Sequence, residues 1–127
     1  MKKIKVGIVG VGNISGIYLD NLINVFQNVN VYACADINPD AAKRTADSRN
    51  IKDLTVDELL KNKEIDIVLN LTIPKAHYEI CKKALEHGKH IYSEKPLSLT
   101  FKEGCELLSL AESKKLLLGC APDTFMC

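Results

Sequence analysis

The hardest constraint on this chain lies at its start, where Ile4-Lys5-Val6-Gly7-Ile8-Val9 runs into Gly10-Val11-Gly12-Asn13-Ile14-Ser15-Gly16. The β-branched run favours a strand, and the closely spaced glycines break it. Leu19, Leu22, Ile23 and Phe26 then recur at helical spacing. Strand, tight glycine turn and helix is the order that a bound pyrophosphate requires. The first glycine permits the sharp turn, and the second lets backbone N–H groups reach the phosphates with no Cβ between. The helix then presents the positive end of its dipole to the anion. The third glycine position of the G-x-G-x-x-G pattern holds Ser15, which is small enough for close packing of helix on strand. An ordinary glycine turn in an α/β protein is the competing explanation, so the rest of the chain has to decide.

A second strand reads from Val29 to Ala35, apolar enough to be covered on both faces. It ends in Asp36, 24 positions after Gly12. In a dinucleotide-binding βαβ unit an acidic residue at about that distance accepts hydrogen bonds from the adenosine ribose hydroxyls. An aspartate there repels a 2′-phosphate, which favours NAD over NADP. Arg44 lies on the following helix rather than beside the turn, so it makes no obvious phosphate clamp, and NADP stays open. The alternative for Asp36 is that it merely begins the turn Asp36-Ile37-Asn38-Pro39.

The remaining elements follow in alternation. Asn38-Pro39 starts a helix that ends before Asn50, and Ile51 to Leu54 is a short, weak strand. Thr55 to Glu58 has the form of a capping box and opens a brief helix through Leu59 and Leu60. Ile65 to Leu71 reads as a strong strand closed by Thr72-Ile73-Pro74, and a helix runs from about Lys75 to Glu86. His90 to Ser93 is a short strand leading to Glu94-Lys95-Pro96. Thr100 to Glu103 opens a helix to about Lys114, and Leu116 to Cys120 is the last strand. Six strands alternating with five helices over short connections predict an α/β fold, a doubly wound parallel sheet of Rossmann type in the order 3-2-1-4-5-6. Residues 1–121 form the dinucleotide-binding domain.

In such a sheet the loops after strands 1, 2, 4 and 5 lie along one carboxyl edge. They carry the glycine turn, Asp36, Thr72 to Pro74, and Glu94 to Pro96. A lysine directly after a strand at that edge can hydrogen-bond a substrate hydroxyl and stabilise developing alkoxide charge during hydride removal. The competing reading makes Glu94 and Lys95 a solvated surface pair. His77, in the first turn of its helix, is read as a neutral hydrogen-bonding residue, since a helix N-terminus disfavours the charged imidazole. His87 and His90 are read as surface residues. No His/Cys/carboxylate cluster has metal-ligand spacing, so no metal is expected. There is no G-x-S-x-G, and Ser15 has no evident base.

Composition adds mainly exclusions. A net charge of +1 with 46% hydrophobic residues gives no argument for nucleic acid or membrane partners. The five cysteines lack any C-x-x-C and several fall at apolar positions, as expected of reduced thiols in a cytoplasmic protein. The apolar run after Met1-Lys2-Lys3 is too short and glycine-broken for a signal peptide.

Together these residues resemble the N-terminal domain of the Gfo/Idh/MocA oxidoreductases, which include glucose–fructose oxidoreductase and inositol dehydrogenase. The likeness rests on Gly10 to Ser15, Asp36, Thr72-Ile73-Pro74 with His77, and Glu94-Lys95-Pro96, and it covers essentially the whole chain. It implies that Gly10, Gly12, Asn13, Ile14, Asp36, Thr72, Ile73, Pro74, His77, Glu94 and Lys95 bind NAD or NADP. Lys95 would also be the catalytic residue, contacting substrate and nicotinamide. The implied substrates are sugars, inositols and related small molecules oxidised at a hydroxyl carbon, in a protein that forms homo-oligomers. Family members are more than twice as long, and their second domain supplies further catalytic residues. Residues 122–127 then resemble the start of the crossover into that domain, and the 127 residues alone are expected to bind cofactor without turnover. Two other readings compete: a standalone dinucleotide-binding redox sensor, against which Glu94 and Lys95 speak, and a methyltransferase, in which Glu-Lys-Pro has no role.

Overall fold

The computed structural model describes residues 4–11, 29–72, 74–93 and 100–120. Six strands form one parallel sheet: β1 (Ile4–Val9), β2 (Val29–Ala35), β3 (Lys52–Asp53), β4 (Ile67–Asn70), β5 (His90–Ser93) and β6 (Leu118–Cys120). Their order is β3-β2-β1-β4-β5-β6, the expected doubly wound arrangement, with the order reversing between β1 and β4. Four described helices connect them: α1 (Pro39–Arg49), α2 (Val56–Lys61), α3 (Pro74–Glu86) and α4 (Phe101–Ser113). The helix expected after the glycine turn lies outside the described residues, as does the crossover at residues 122–127.

Local chemistry accounts for the helix boundaries. Asn38 caps α1, its side-chain oxygen accepting the N–H groups of Asp40 and Ala41, and Pro39 takes the first turn. Thr55 and Glu58 close a reciprocal capping box on α2. Thr100 Oγ1 accepts the Glu103 N–H at the start of α4.

The sheet separates two cores. Val9, Ala33, Ala35, Val68 and Ile91 face α2, α3 and α4, where Leu59, Leu85 and Leu107 are buried against them. Val6, Ile8, Val31, Cys34 and Leu69 face the other way, with Ala46 of α1. A slip in the β1–β2 register falls between Val6, paired with Val31, and Gly7, paired with Ala33. The extra residue, Tyr32, lies on the same side as Ala33, so the strand's alternation of faces breaks there. At Gly7 a Cβ would stand 2.8 Å from Leu59 Cδ2 and 2.9 Å from Ile65 Cδ1. The missing side chain is what lets α2 settle onto β1.

Three strands are shorter than the sequence implies. The predicted span from Ile65 to Leu71 is regular strand only over Ile67–Asn70; at Asp66 the backbone still bonds Lys5 and His90, while its carboxylate accepts the Lys5 N–H at 3.0 Å. β3 is reduced to two residues, and β6 begins at Leu118 rather than Leu116.

Candidate functional site

The turn after β1 is fixed by Gly10, whose φ of +97° disfavours any other residue. A Cβ there would lie 2.8 Å from the carbonyl carbon and oxygen of Leu71. The glycine therefore permits the turn and also lets the β1 and β4 loops approach each other backbone to backbone. Its own N–H donates to the Ala35 carbonyl at 2.8 Å, joining the turn to the end of β2.

Asp36 stands at that junction. Its Oδ2 accepts the Val11 N–H of the glycine turn at 2.9 Å, and its Oδ1 accepts the Asn38 N–H, also at 2.9 Å. Each carboxylate oxygen keeps capacity for another donor. The half-buried Asp36 thus has a fixed orientation and unspent acceptor capacity, which is what recognition of a vicinal diol requires.

The loop after β4 is organised by Asn70, a residue that sequence reasoning missed. It is fully buried at the carboxyl end of the strand. Its Oδ1 accepts both the Thr72 hydroxyl at 2.6 Å and the Thr72 N–H at 3.2 Å. Its Nδ2 donates to the His77 carbonyl and to Cys81 Sγ, each at 3.2 Å. His77, also fully buried, donates from Nε2 to the Thr72 carbonyl at 2.5 Å. A carbonyl can only accept, so Nε2 carries the proton in this contact. Asn70 and His77 thereby clamp Thr72 between β4 and α3. The available signal was an asparagine interrupting the apolar run Ile-Val-Leu-Asn-Leu two positions before Thr72.

Between these loops lies a cleft of about 220 Å³, lined by Gly10, Asp36, Ile37, Thr72 and the apolar side chains of Val56 and Ile80. A second hollow of about 510 Å³ shares Asp36, Ile37, Val56 and Ile80 with it. Ile37 is 91% exposed at the mouth, an apolar surface beside a carboxylate. The residues present fit an adenine dinucleotide: an apolar wall for a base, an anchored carboxylate for a diol, and a turn with no side chain at Gly10. A larger hollow of about 920 Å³ lies by the amino ends of β4 and β5, around Lys89 and His90, on the far side from these loops.

The structure thus brings Gly10, Asp36, Thr72 and His77 together, and Pro74 begins α3 beside them. Gly12, Asn13, Ile14, Ile73, Glu94 and Lys95 lie outside the described residues. Ser93, which immediately precedes Glu94, is in register with Asn70 at the same carboxyl edge. His87 is exposed as expected, but His90 is half-buried and its Nδ1 accepts the Leu117 N–H at 3.0 Å, which corrects its reading as a plain surface residue. Cys34 and Cys81 are buried, whereas Cys105 is exposed. Burial pushes the Cys34 thiol up to about 11, with the Asp53 and Asp36 carboxylates acting in the same direction. That leaves it unsuited to nucleophilic work near neutral pH.

Comparison with known proteins agrees with this geometry. The model of the Gfo/Idh/MocA oxidoreductase family, NAD-binding Rossmann fold, matches residues 4–121. The chain is 38% identical over 126 residues to an uncharacterised oxidoreductase of Schizosaccharomyces pombe, covering 94% of this chain and 33% of that protein. It is 35% identical over 115 residues to an inositol 2-dehydrogenase/D-chiro-inositol 3-dehydrogenase of Lactiplantibacillus plantarum, covering 88% and 32%. Among solved structures, a biliverdin reductase from Synechocystis, in complex with biliverdin and NADP+, superposes with a TM-score of 0.86 at 30% identity. That match covers 92% of this chain and 37% of the reductase. The chain spans about a third of the length of the relatives it matches.

Proposed function

The chain belongs to the Gfo/Idh/MocA oxidoreductase family as an NAD-binding Rossmann domain, and from that premise we propose that it is the cofactor half of a dehydrogenase acting at a hydroxyl carbon of a sugar, an inositol or a related small polyol. The observation that carries this reading is the meeting of Gly10, Asp36 and Thr72 around one cleft, held by the Val11-to-Asp36 hydrogen bond. Asp36 takes the adenosine ribose through its unspent acceptor capacity, and the apolar wall of Val56 and Ile80 takes the base. The similarity to an inositol dehydrogenase supports the polyol substrate.

When bound, the dinucleotide supplies the acceptor for hydride. Lys95, following β5, donates a hydrogen bond from Nζ to the substrate hydroxyl and stabilises the negative charge that grows on that oxygen. Glu94 helps hold the nicotinamide end. Because the chain spans about a third of its relatives' length, the 127 residues by themselves bind cofactor and turn over no substrate.

Titration of the chain with NADH and NADPH, followed by nicotinamide fluorescence, tests the reading. Tight NADH binding that Asp36→Ala weakens by about tenfold or more is expected, since hydrogen bonds to a charged group contribute about 1.5–3 kcal/mol. Failure of the wild-type chain to bind either nucleotide overturns it, and steady dehydrogenase turnover by the 127 residues overturns the division of labour.

A further inference from the structure

The Asn70 carboxamide has no hydrogen-bonding capacity left over. Its Oδ1 accepts the Thr72 N–H at 3.2 Å and the Thr72 hydroxyl at 2.6 Å. Both Nδ2 hydrogens are given away, to the His77 carbonyl and to Cys81 Sγ. Cys81 is in turn hydrogen-bonded to Ser93 at the end of β5. Turned over, the amide would set Nδ2 against the Thr72 N–H and Oδ1 against the His77 carbonyl, so only one orientation is satisfied. In that orientation Oδ1 can only accept, and the Thr72 hydroxyl must give it its single proton. The Thr72 N–H is spent on the same oxygen, and the Thr72 carbonyl already takes the His77 Nε2 proton. What Thr72 keeps for a ligand in the cleft it lines is lone pairs.

We propose that Asn70 is a positioning residue for cofactor binding: it fixes the Thr72 hydroxyl as an acceptor, which takes a hydroxyl or amide donor of the dinucleotide and turns phosphate oxygens away. This rests on the cofactor reading above and adds to it a residue that is itself fully buried. A free threonine hydroxyl rotates and serves as donor or acceptor, so a ligand that needs one of the two has to immobilise it. The buried amide settles both the direction and the polarity of that hydroxyl during folding, before any ligand arrives.

Dissociation constants for NADH are measured on the 127-residue chain by nicotinamide fluorescence, with circular dichroism recording that each variant is folded. Thr72→Val removes the hydroxyl at nearly constant shape, and Thr72→Ser keeps it. Asn70→Ala removes the whole amide. Asn70→Ser also removes it but leaves a small polar group beside the His77 carbonyl, which gives the fold a second chance. Leu85→Ala truncates a core residue of α3 outside this network and reports what destabilisation alone does to binding.

Thr72→Val should raise the NADH constant about fivefold, the size of one neutral hydrogen bond. The Asn70 variants should raise it by a similar factor. Thr72→Ser and Leu85→Ala should stay within about twofold of wild type. Combining Asn70→Ala or Asn70→Ser with Thr72→Val should add nothing further, because both act through one hydroxyl. A merely structural Asn70 would instead multiply the two effects to about twenty-fivefold, which overturns the proposal. So does a constant within twofold of wild type in Thr72→Val or in a folded Asn70 variant, and so does an equal loss in Thr72→Ser or Leu85→Ala. Failure of both Asn70 variants to fold makes Asn70 a structural residue and overturns it as well. All of these leave the cofactor reading intact, whereas a wild-type chain that binds no nucleotide overturns both.

Discussion

At the scale of single residues, the site depends on groups that have little freedom to be anything else. Gly10 is the clearest, because a side chain there meets two separate obstacles. Its positive φ alone costs a non-glycine residue about 1–3 kcal/mol, and a Cβ would press on the Leu71 carbonyl 2.8 Å away. Gly10→Ala is expected to lower stability by about 2–4 kcal/mol in urea unfolding and to abolish NADH binding by parting the β1 and β4 loops. Wild-type stability in that variant would show the turn to be more pliant than the contact implies. Asn70 has a different kind of necessity: four hydrogen bonds converge on one buried amide, leaving no position for a residue of other shape.

At the scale of elements, the short helix α2 stays in place because β1 makes room for it. Alone, six residues are too few to form a stable helix in water. The capping box supplies its start, and burial of Leu59 and Leu60 supplies most of its hold on the sheet. Leu59 fits only because Gly7 presents no Cβ to it or to Ile65. Gly7→Val is therefore expected to cost about 1–3 kcal/mol by overpacking. The loss should appear in hydrogen exchange first at α2 and the loop to β4, which the buried Lys89 also holds through its hydrogen bonds to the Asn62 and Ile65 carbonyls. Uniform weakening across all strands would argue against a local wedge. Because Val56 on α2 lines the cleft proposed to take the cofactor, NADH affinity should fall with it.

At the scale of the whole molecule, the sheet buries a thiol whose ionisation is linked to global stability. Cys34 in β2 is raised from 9.0 to about 11 by desolvation and, to a lesser extent, by Asp53 and Asp36. A group whose pKa is higher when folded contributes stability in full below its unfolded value and loses it as the pH rises through the folded value. The stability difference between the wild-type chain and Cys34→Ala should thus be constant up to about pH 9 and shrink toward about pH 11. Comparing the two proteins cancels the other ionisations, including that of Lys89, which burial shifts downward and which acts with the opposite sign. A difference that stays constant through that window would place Cys34 in contact with water.

Much of this was readable from residues in order. The strand at Val29–Ala35, the caps at Asn38, Thr55 and Thr100, and the parallel order of six strands all follow from local chemistry and from alternation of elements. Gly10 and Asp36 were legible because a tight turn after the first strand calls for glycine, and a dinucleotide-binding pattern places a carboxylate at the end of its second strand. Other features exist only once distant segments touch. The bulge at Tyr32 reflects a register set by β1 and is invisible in a uniformly apolar run. Asn70 looked like an imperfect strand residue until β4, α3 and the Thr72 loop closed around its amide. His90 acquired a role when β6 brought the Leu117 N–H to its ring. The sequence by itself determined the elements, their order and the type of ligand, because backbone preference and hydrophobic period are local properties. Only the tertiary structure decided which polar atoms are spent and which remain for a ligand, because a hydrogen bond needs two partners and the second is often far away in the chain.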